Sequence, residues 1–341
     1  MISENMNAAP PSPALLFETI NGYQRTAAIK TAIQLDVFSP LVEKPATADA
    51  IAAHAKASPR GMRILCDYLT FLGFLNRTDK GYTLTKDSAV FLNPKSPAYA
   101  GGTLDFLLSP DISGGFDSLT EAVRKGGTAS SKEGTMSHEN PVWLSFARNM
   151  GPLMIPAANA LAGLIPLDQS RPTKVLDISA SHGAWGLAFA RPNPKAQIVG
   201  LDWAPVLQIA RENAKAGGAA DRYSTIAGSA FDVDFGTDYD IVLLPNFLHH
   251  FNTADCIRLL KKTNAALRPG GTVAIVEFVP NSDRVTPPPA AGFSLVMLAS
   301  TAEGDTYTLA EYAAMLAQAG FKPPVQHNLP ASVNAAVIAK K

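Results

Sequence analysis

From residue 171 onward, short runs of Val, Ile and Leu alternate with stretches of helical periodicity. That alternation predicts a mainly parallel sheet covered on both faces. Strands are expected at Lys174–Ile178, Gln197–Leu201, Tyr223–Ala227, Tyr239–Leu244 and Thr272–Val279, with helices filling the gaps between them. A last helix is expected from Thr308 to Ala319, then strands at Val325–Leu329 and Asn334–Ala339. Only a few residues around Pro330 join these two strands. A parallel crossover needs more chain, so they should form an antiparallel hairpin at the sheet edge.

Upstream the pattern is helix, helix, helix, hairpin. Ala14 to Leu35 carries apolar residues at helical spacing, Thr47 can cap a short helix through Ala55, and Ser58-Pro59 supplies an N-cap and a first-turn proline for a helix to Leu72. Phe74 to Thr85 reads as two short strands around a turn, which completes a winged-helix outline. Between Asn93 and Pro166, helical stretches alternate with Gly/Ser-rich breaks such as Gly126 to Ser131. The apolar segment Pro141 to Leu164 is expected to break near Gly151-Pro152 and again at Pro156. The expected organisation is a winged-helix domain over 1–95, a helical linker and pocket region over 96–165, and an α/β domain with a doubly wound sheet over 166–341.

Charge narrows the partners. The 341 residues hold 29 Lys and Arg against 29 Asp and Glu, so no global field draws the chain to nucleic acid or an anionic membrane. The helix that would enter a DNA groove offers only Arg60 and Arg63 to phosphates, which favours packing against protein over a regulator that binds DNA. Cys66 and Cys256 lie far apart, with neither a disulfide framework nor a metal-ligand spacing, and a reducing cytoplasm is the expected location. No metal is expected. Met1 to Pro13 lacks the basic-then-apolar pattern of an export signal, and no apolar run reaches membrane-spanning length.

The chemistry concentrates where Val175-Leu176-Asp177-Ile178 runs into Ser179-Ala180-Ser181-His182-Gly183, a loop of small residues opening a helix, while the next strand ends in Asp202. Small residues let a backbone approach a polar ligand, and an acid ending the neighbouring strand can accept hydrogen bonds from ribose hydroxyls. The glycine spacing of a dinucleotide loop is missing, which ranks S-adenosylmethionine above NAD. Trp143, Phe146, Met150 and Met154 have the spacing of core residues and would equally suit the wall of a pocket for a flat apolar molecule.

Several further segments are found in order: Phe146-Ala147-Arg148-Asn149-Met150, Gly228-Ser229-Ala230-Phe231, Leu248-His249-His250-Phe251, Pro269-Gly270-Gly271, and Tyr307-Thr308 ahead of Ala319-Gly320-Phe321. With Asp177 and Asp202 they resemble the small-molecule O-methyltransferase family of plant caffeate and flavonoid enzymes and bacterial polyketide and phenazine tailoring enzymes. The resemblance covers nearly the whole chain. It implies a methyltransferase sheet with an antiparallel last strand, an N-terminal winged-helix domain that forms a homodimer, and S-adenosylmethionine converted to S-adenosylhomocysteine.

By the same resemblance, Asp177, Ser179, Ser181 and Gly183 hold the methionine part of the cofactor and Asp202 binds the ribose, with Trp203 also a cofactor contact. Ser229, Ala230 and Phe231 flank the adenine, with Asn246 also at the cofactor. His249 is implied to be the general base toward a hydroxyl of a small aromatic substrate, with Glu277 orienting it. Trp143, Phe146, Met150, Met154, His250 and Met297 are the expected acceptor contacts, His250 being also the fallback base. His182 and His138 are assigned a cofactor-loop contact or structural role and a place near the acceptor, respectively.

The sequence departs from the family pattern at four points. Serines stand in the glycine loop, Ser229 replaces an adenine-contacting acid and leaves the role to Asp232 or a backbone group, Pro245 replaces a lysine of plant members, and the second acid beside the catalytic His falls at or near Thr306. These departures keep open a relative that retains the cofactor for hydroxylation, decarboxylation or cyclisation, or that methylates carbon or nitrogen.

Overall fold

The computed structural model describes residues 11–130, 133–137, 140–168, 170–330 and 332–341. The chain divides into two compact units between Gly101 and Gly102. In the first unit the long helix expected from Ala14 is two helices, Ala14–Ile20 and Gly22–Gln34, separated at Asn21. Asn and Gly are both poor helix formers, and side by side they outweigh the continuous apolar spacing. The hydroxyl of Thr47 accepts from the amide of Ala50 (3.2 Å) and starts the helix Ala48–His54. Ser58 does the same for Pro59–Phe71 through the amide of Gly61. Leu75–Thr78 (β1) and Gly81–Leu84 (β2) pair antiparallel. Ile51, Cys66, Leu69, Leu75 and Tyr82 close the core of this unit. Leu15, Leu16, Phe17 and Ile20 stay more than half exposed along the first helix.

The second unit is built on seven strands: Lys174–Ile178 (β3), Gln197–Asp202 (β4), Tyr223–Ala227 (β5), Tyr239–Pro245 (β6), Leu267–Glu277 (β7), Val325–Asn328 (β8) and Ala335–Lys340 (β9). Their order is β5-β4-β3-β6-β7-β9-β8. The first five are mutually parallel, and β9 and β8 close the sheet antiparallel, as the short Pro330 connection requires. Alternate side chains enter two apolar layers. Leu176, Ile178, Val242 and Leu244 pack toward the helices Thr253–Ala266 and Leu309–Gln318. Val175, Ile198, Ile241 and Leu243 pack toward Gly151–Leu164 and Ala184–Ala190. Strand order reverses beside β3, which opens a crevice beyond the carboxyl ends of β3, β4 and β6.

Three local features differ from expectation. β7 begins at Leu267 because that residue pairs with Tyr239 before the register shifts, so that the next pair is Ile241 with Thr272 and Arg268 to Gly271 bulge outward. The segment after Pro141 breaks once, at Met150 between Val142–Asn149 and Gly151–Leu164. The second helix runs on through Pro156, forgoing one backbone bond near its start. A helix at Pro288–Ser300, opened by first-turn prolines, was not anticipated. Among the described residues no helix is long and apolar enough to cross a membrane.

Candidate active site

The loop after β3 is shaped by backbone that L-residues seldom adopt: Ser179, Ser181 and Gly183 have φ of 59°, 51° and 77°. For two serines this costs roughly 1–3 kcal/mol each, and fixed partners hold it. Ala180 donates its amide to the Leu201 carbonyl (3.0 Å), and Gly183 donates to the Ala180 carbonyl (2.7 Å). Asp202, at the end of β4, accepts the Ser181 amide at Oδ2 (2.9 Å) and the Trp203 amide at Oδ1 (2.7 Å). Burial raises its pKa to about 6 in spite of these two bonds. Gly200 in β4 supports the loop by absence: a Cβ there would stand 2.4 Å from the Tyr223 hydroxyl and 3.2 Å from the Ala180 side chain.

Asp177 lies behind this loop, fully buried, with Oδ2 accepting the Gly186 amide (2.8 Å). Its Oδ1 has no partner, and neither does the hydroxyl of Ser181. Burial, and secondarily the charge of Asp202, push the Asp177 carboxyl up to about 8. Buried polar atoms are normally paired. The unpaired Ser181 hydroxyl, the left-handed backbone and the carboxylate ending the next strand all stand at the cavity wall and fit a polar ligand such as S-adenosylmethionine.

His182 serves the framework of the same loop. Its Nδ1 accepts the Ala184 amide (3.1 Å), which puts the ring proton on Nε2, 3.4 Å from Sδ of Met154. The ring stacks on Phe146 at 6.3 Å and 10°, and burial lowers its pKa to about 4. His138 lies outside the described residues.

Gly228 donates its amide to the Asp202 carbonyl (3.0 Å), and the Ser229 hydroxyl accepts the Phe231 amide (3.2 Å). Phe231 meets Phe251 edge-on at 4.9 Å. Beyond β6, Asn246 has φ 51°, donates its amide to Val276 (2.8 Å) and accepts from the Asn334 side chain (3.0 Å).

The one-turn helix Leu248–His250 follows, and Asn252 caps the helix after it through the Asp255 amide (2.9 Å). Nδ1 of His249 lies 2.5 Å from Oε2 of Glu277 at the end of β7. The other oxygen of Glu277 accepts the amides of Phe247 (2.9 Å) and His249 (3.3 Å). With Nδ1 engaged as the donor, the lone pair of the neutral ring is on Nε2. Thr306 does not reach this pair: its hydroxyl bonds Ser294 (2.5 Å). Phe293 packs on His249 at 4.8 Å, and the His250 ring is centred 4.2 Å away.

These groups surround one cavity of about 910 Å³. It is lined by Ser179, Ser181, Asp202, Trp203, Ser229, Ala230, Phe231 and Asn246 on the loop side, and by Trp143, Phe146, Met150, Met154, His249, His250 and Met297 beyond them. Asp177, Gly183 and Glu277 stand behind the wall and act on it through hydrogen bonds or shape. The size is near the upper end for small-molecule sites, enough for a cofactor beside an acceptor. Phe278 and Phe293, stacked at 3.8 Å, also line it and went unnoticed in the sequence. The Pro287-Pro288-Pro289 run ahead of an apolar stretch was the signal for the helix that brings Phe293 and Met297 to the cavity.

The O-methyltransferase domain family matches residues 154–322, and the O-methyltransferase dimerisation domain matches residues 17–94. A solved structure of a candidate O-methyltransferase from Nostoc punctiforme is 53% identical, with a TM-score of 0.94 over 97% of this chain and 100% of that one. The 3-hydroxy-5-methyl-1-naphthoate 3-O-methyltransferase of Streptomyces sahachiroi is 29% identical over 94% of this chain and 93% of its own. The human N-acetylserotonin methyltransferase, solved with S-adenosylmethionine, shares the fold with a TM-score of 0.85 at 23% identity, over 98% of this chain and 99% of that one. Two matched domains and a whole-length relative place this chain in the family of S-adenosylmethionine-dependent O-methyltransferases.

Proposed function

We propose that the chain methylates a hydroxyl of a small aromatic molecule, with His249 as general base and Glu277 as the residue that positions it. The observation that carries this reading is the buried His249–Glu277 contact of 2.5 Å at the wall of an aromatic-lined cavity. A phenol is largely protonated near neutral pH, since its reference pKa is about 10. Imidazole Nε2 takes that proton as the oxygen attacks, and Glu277 stabilises the imidazolium that results. S-adenosylmethionine, when bound, supplies an electrophilic methyl group on sulfur. Holding nucleophile and methyl carbon close and aligned contributes up to roughly 7–11 kcal/mol in favourable cases.

In this reading Ser179, Ser181 and Asp202 line the cofactor half, Asp177 and Gly183 shape it from behind, and Ser229 to Phe231 border the adenine. The aromatic relatives support the acceptor class: one acts on a naphthoate hydroxyl and another on acetylserotonin. The exposed Phe17 and Ile20 at the start of the matched dimerisation domain, with the exposed Leu15 and Leu16 just ahead of it, support a homodimer, and two buried free cysteines suit the cytoplasm. The test is mass-spectrometric detection of methylated product and S-adenosylhomocysteine with labelled S-adenosylmethionine over a panel of aromatic hydroxyl compounds. S-adenosylmethionine binding without any methylated aromatic product would refute the acceptor assignment. Sedimentation showing a monomer at micromolar concentration would refute the dimer.

A further inference from the structure

We propose that the acceptor is an uncharged aromatic with a second hydrogen-bonding oxygen beside the hydroxyl to be methylated, and that His250 reads that oxygen. The inference rests on the aromatic-hydroxyl reading above and narrows it.

His250 lines the cavity yet is only 9% exposed, and its Nδ1 is buried without a partner. Among the described residues its side chain makes no hydrogen bond. Nδ1 is enclosed and out of a ligand's reach, so what the cavity wall offers is the rest of the ring, whose Nε2 carries no hydrogen bond among the described residues and is available to the ligand. The neighbouring polar groups are already engaged. Trp143 Nε1 donates to the Thr135 carbonyl (3.0 Å), the Thr135 hydroxyl to the Ser300 carbonyl (3.2 Å), and the Ser300 hydroxyl to the Val296 carbonyl (2.7 Å). With His249 committed to the reacting hydroxyl, His250 remains for recognition.

Its position fixes what it can recognise. The His249 and His250 ring centres are 4.2 Å apart, and Trp143 holds His250 edge-on at 5.2 Å. Rings this close serve neighbouring atoms on one edge of a molecule, as in a vicinal or peri pair of oxygens. A neutral imidazole has one donor and one acceptor nitrogen, so the second oxygen is a hydroxyl or a carbonyl. Burial, and His249 beside it, hold His250 in that neutral form. Among the described residues lining the cavity there is no Lys or Arg, whereas Glu133, Asp202 and Asp232 are acidic. A substrate carboxylate would lose its hydration there and meet no fixed cation.

The experiment compares three probes with the full-length protein: 2,3-dihydroxynaphthalene, 2-naphthol and 3-hydroxy-2-naphthoate. The diol is expected to exceed 2-naphthol in kcat/KM by about 10-fold or more, mainly through a lower KM, with the naphthoate below both. His250→Phe should bring the diol-to-naphthol ratio within about 2-fold, and His250→Gln, whose amide both donates and accepts, should keep part of it. Equal use of diol and 2-naphthol, a naphthoate turned over best, or His250 variants that lower both substrates by one factor would each overturn the proposal while leaving aromatic O-methylation intact. No product from any probe, with S-adenosylmethionine bound, would overturn the aromatic-hydroxyl reading and this inference together.

Discussion

The backbone amide of Ser181 lies 2.9 Å from Oδ2 of Asp202, so the acid that ends β4 also fixes the left-handed residue at the tip of the preceding loop. Asp202→Ala therefore removes a cavity carboxylate and a loop restraint together. Its S-adenosylmethionine affinity is expected to fall about 10- to 100-fold, the loss of one or two charge-assisted hydrogen bonds. Asp202→Asn, which keeps an acceptor oxygen, should fall less. Titration calorimetry reads both, and undiminished affinity in Asp202→Ala would remove this residue from the cofactor site.

With His249 as the proposed base acting on the acceptor proton, His249→Ala is expected to lower kcat on a phenolic acceptor by roughly 10²–10⁴-fold with little change in cofactor affinity. Glu277→Gln should give an intermediate loss, since the amide orients the ring and carries no charge. Normal turnover in His249→Ala would shift the role of base to another group.

The Asp177 carboxyl, raised to about 8, gives the protein without ligand a stability that declines with pH. A group whose folded pKa exceeds its unfolded value favours the native state fully below the unfolded value and loses that contribution as pH rises to the folded one. Between pH 5.5 and 8 the expected slope is about 1.4 kcal/mol per unit at most. Asp177→Asn should flatten the midpoint-against-pH curve from thermal or urea unfolding relative to the parent. Parallel curves for the two proteins would place the titration elsewhere.

Gly200→Ala should destabilise by about 1–3 kcal/mol, as overpacked cores do, because its methyl would meet the Tyr223 hydroxyl at 2.4 Å. That hydroxyl is buried without a partner, so Tyr223→Phe alone should be nearly neutral. Adding Tyr223→Phe to Gly200→Ala should recover part of the loss. A double mutant whose urea midpoint is simply additive would show that the hydroxyl is not the obstacle.

The sheet was legible because each strand is a run of branched apolar residues bounded by turn signals, and the short Pro330 connection dictated an antiparallel pair. Asp177 and Asp202 could be located because they sit at the carboxyl ends of β3 and β4, and His249 because it follows β6 at the same edge of the sheet. Glu277 was legible only through a family resemblance, since its bond to His249 spans 28 positions and no local spacing encodes it. The Pro288–Ser300 helix escaped notice because it is apolar nearly all round, so periodicity carries no direction there. Asn21-Gly22 and Pro156 erred in opposite senses: a weak pair ended a helix whose spacing continued, and a proline near a helix start was absorbed.

His182 belongs by its backbone to the loop after β3 and by its ring to the wall made by Phe146 and Met154. The ring is already fixed at both nitrogens, by the Ala184 amide and by Sδ of Met154, so one buried side chain sets the spacing between loop and wall. A smaller side chain at 182 would leave a void between them and slacken both sides of the cavity at once.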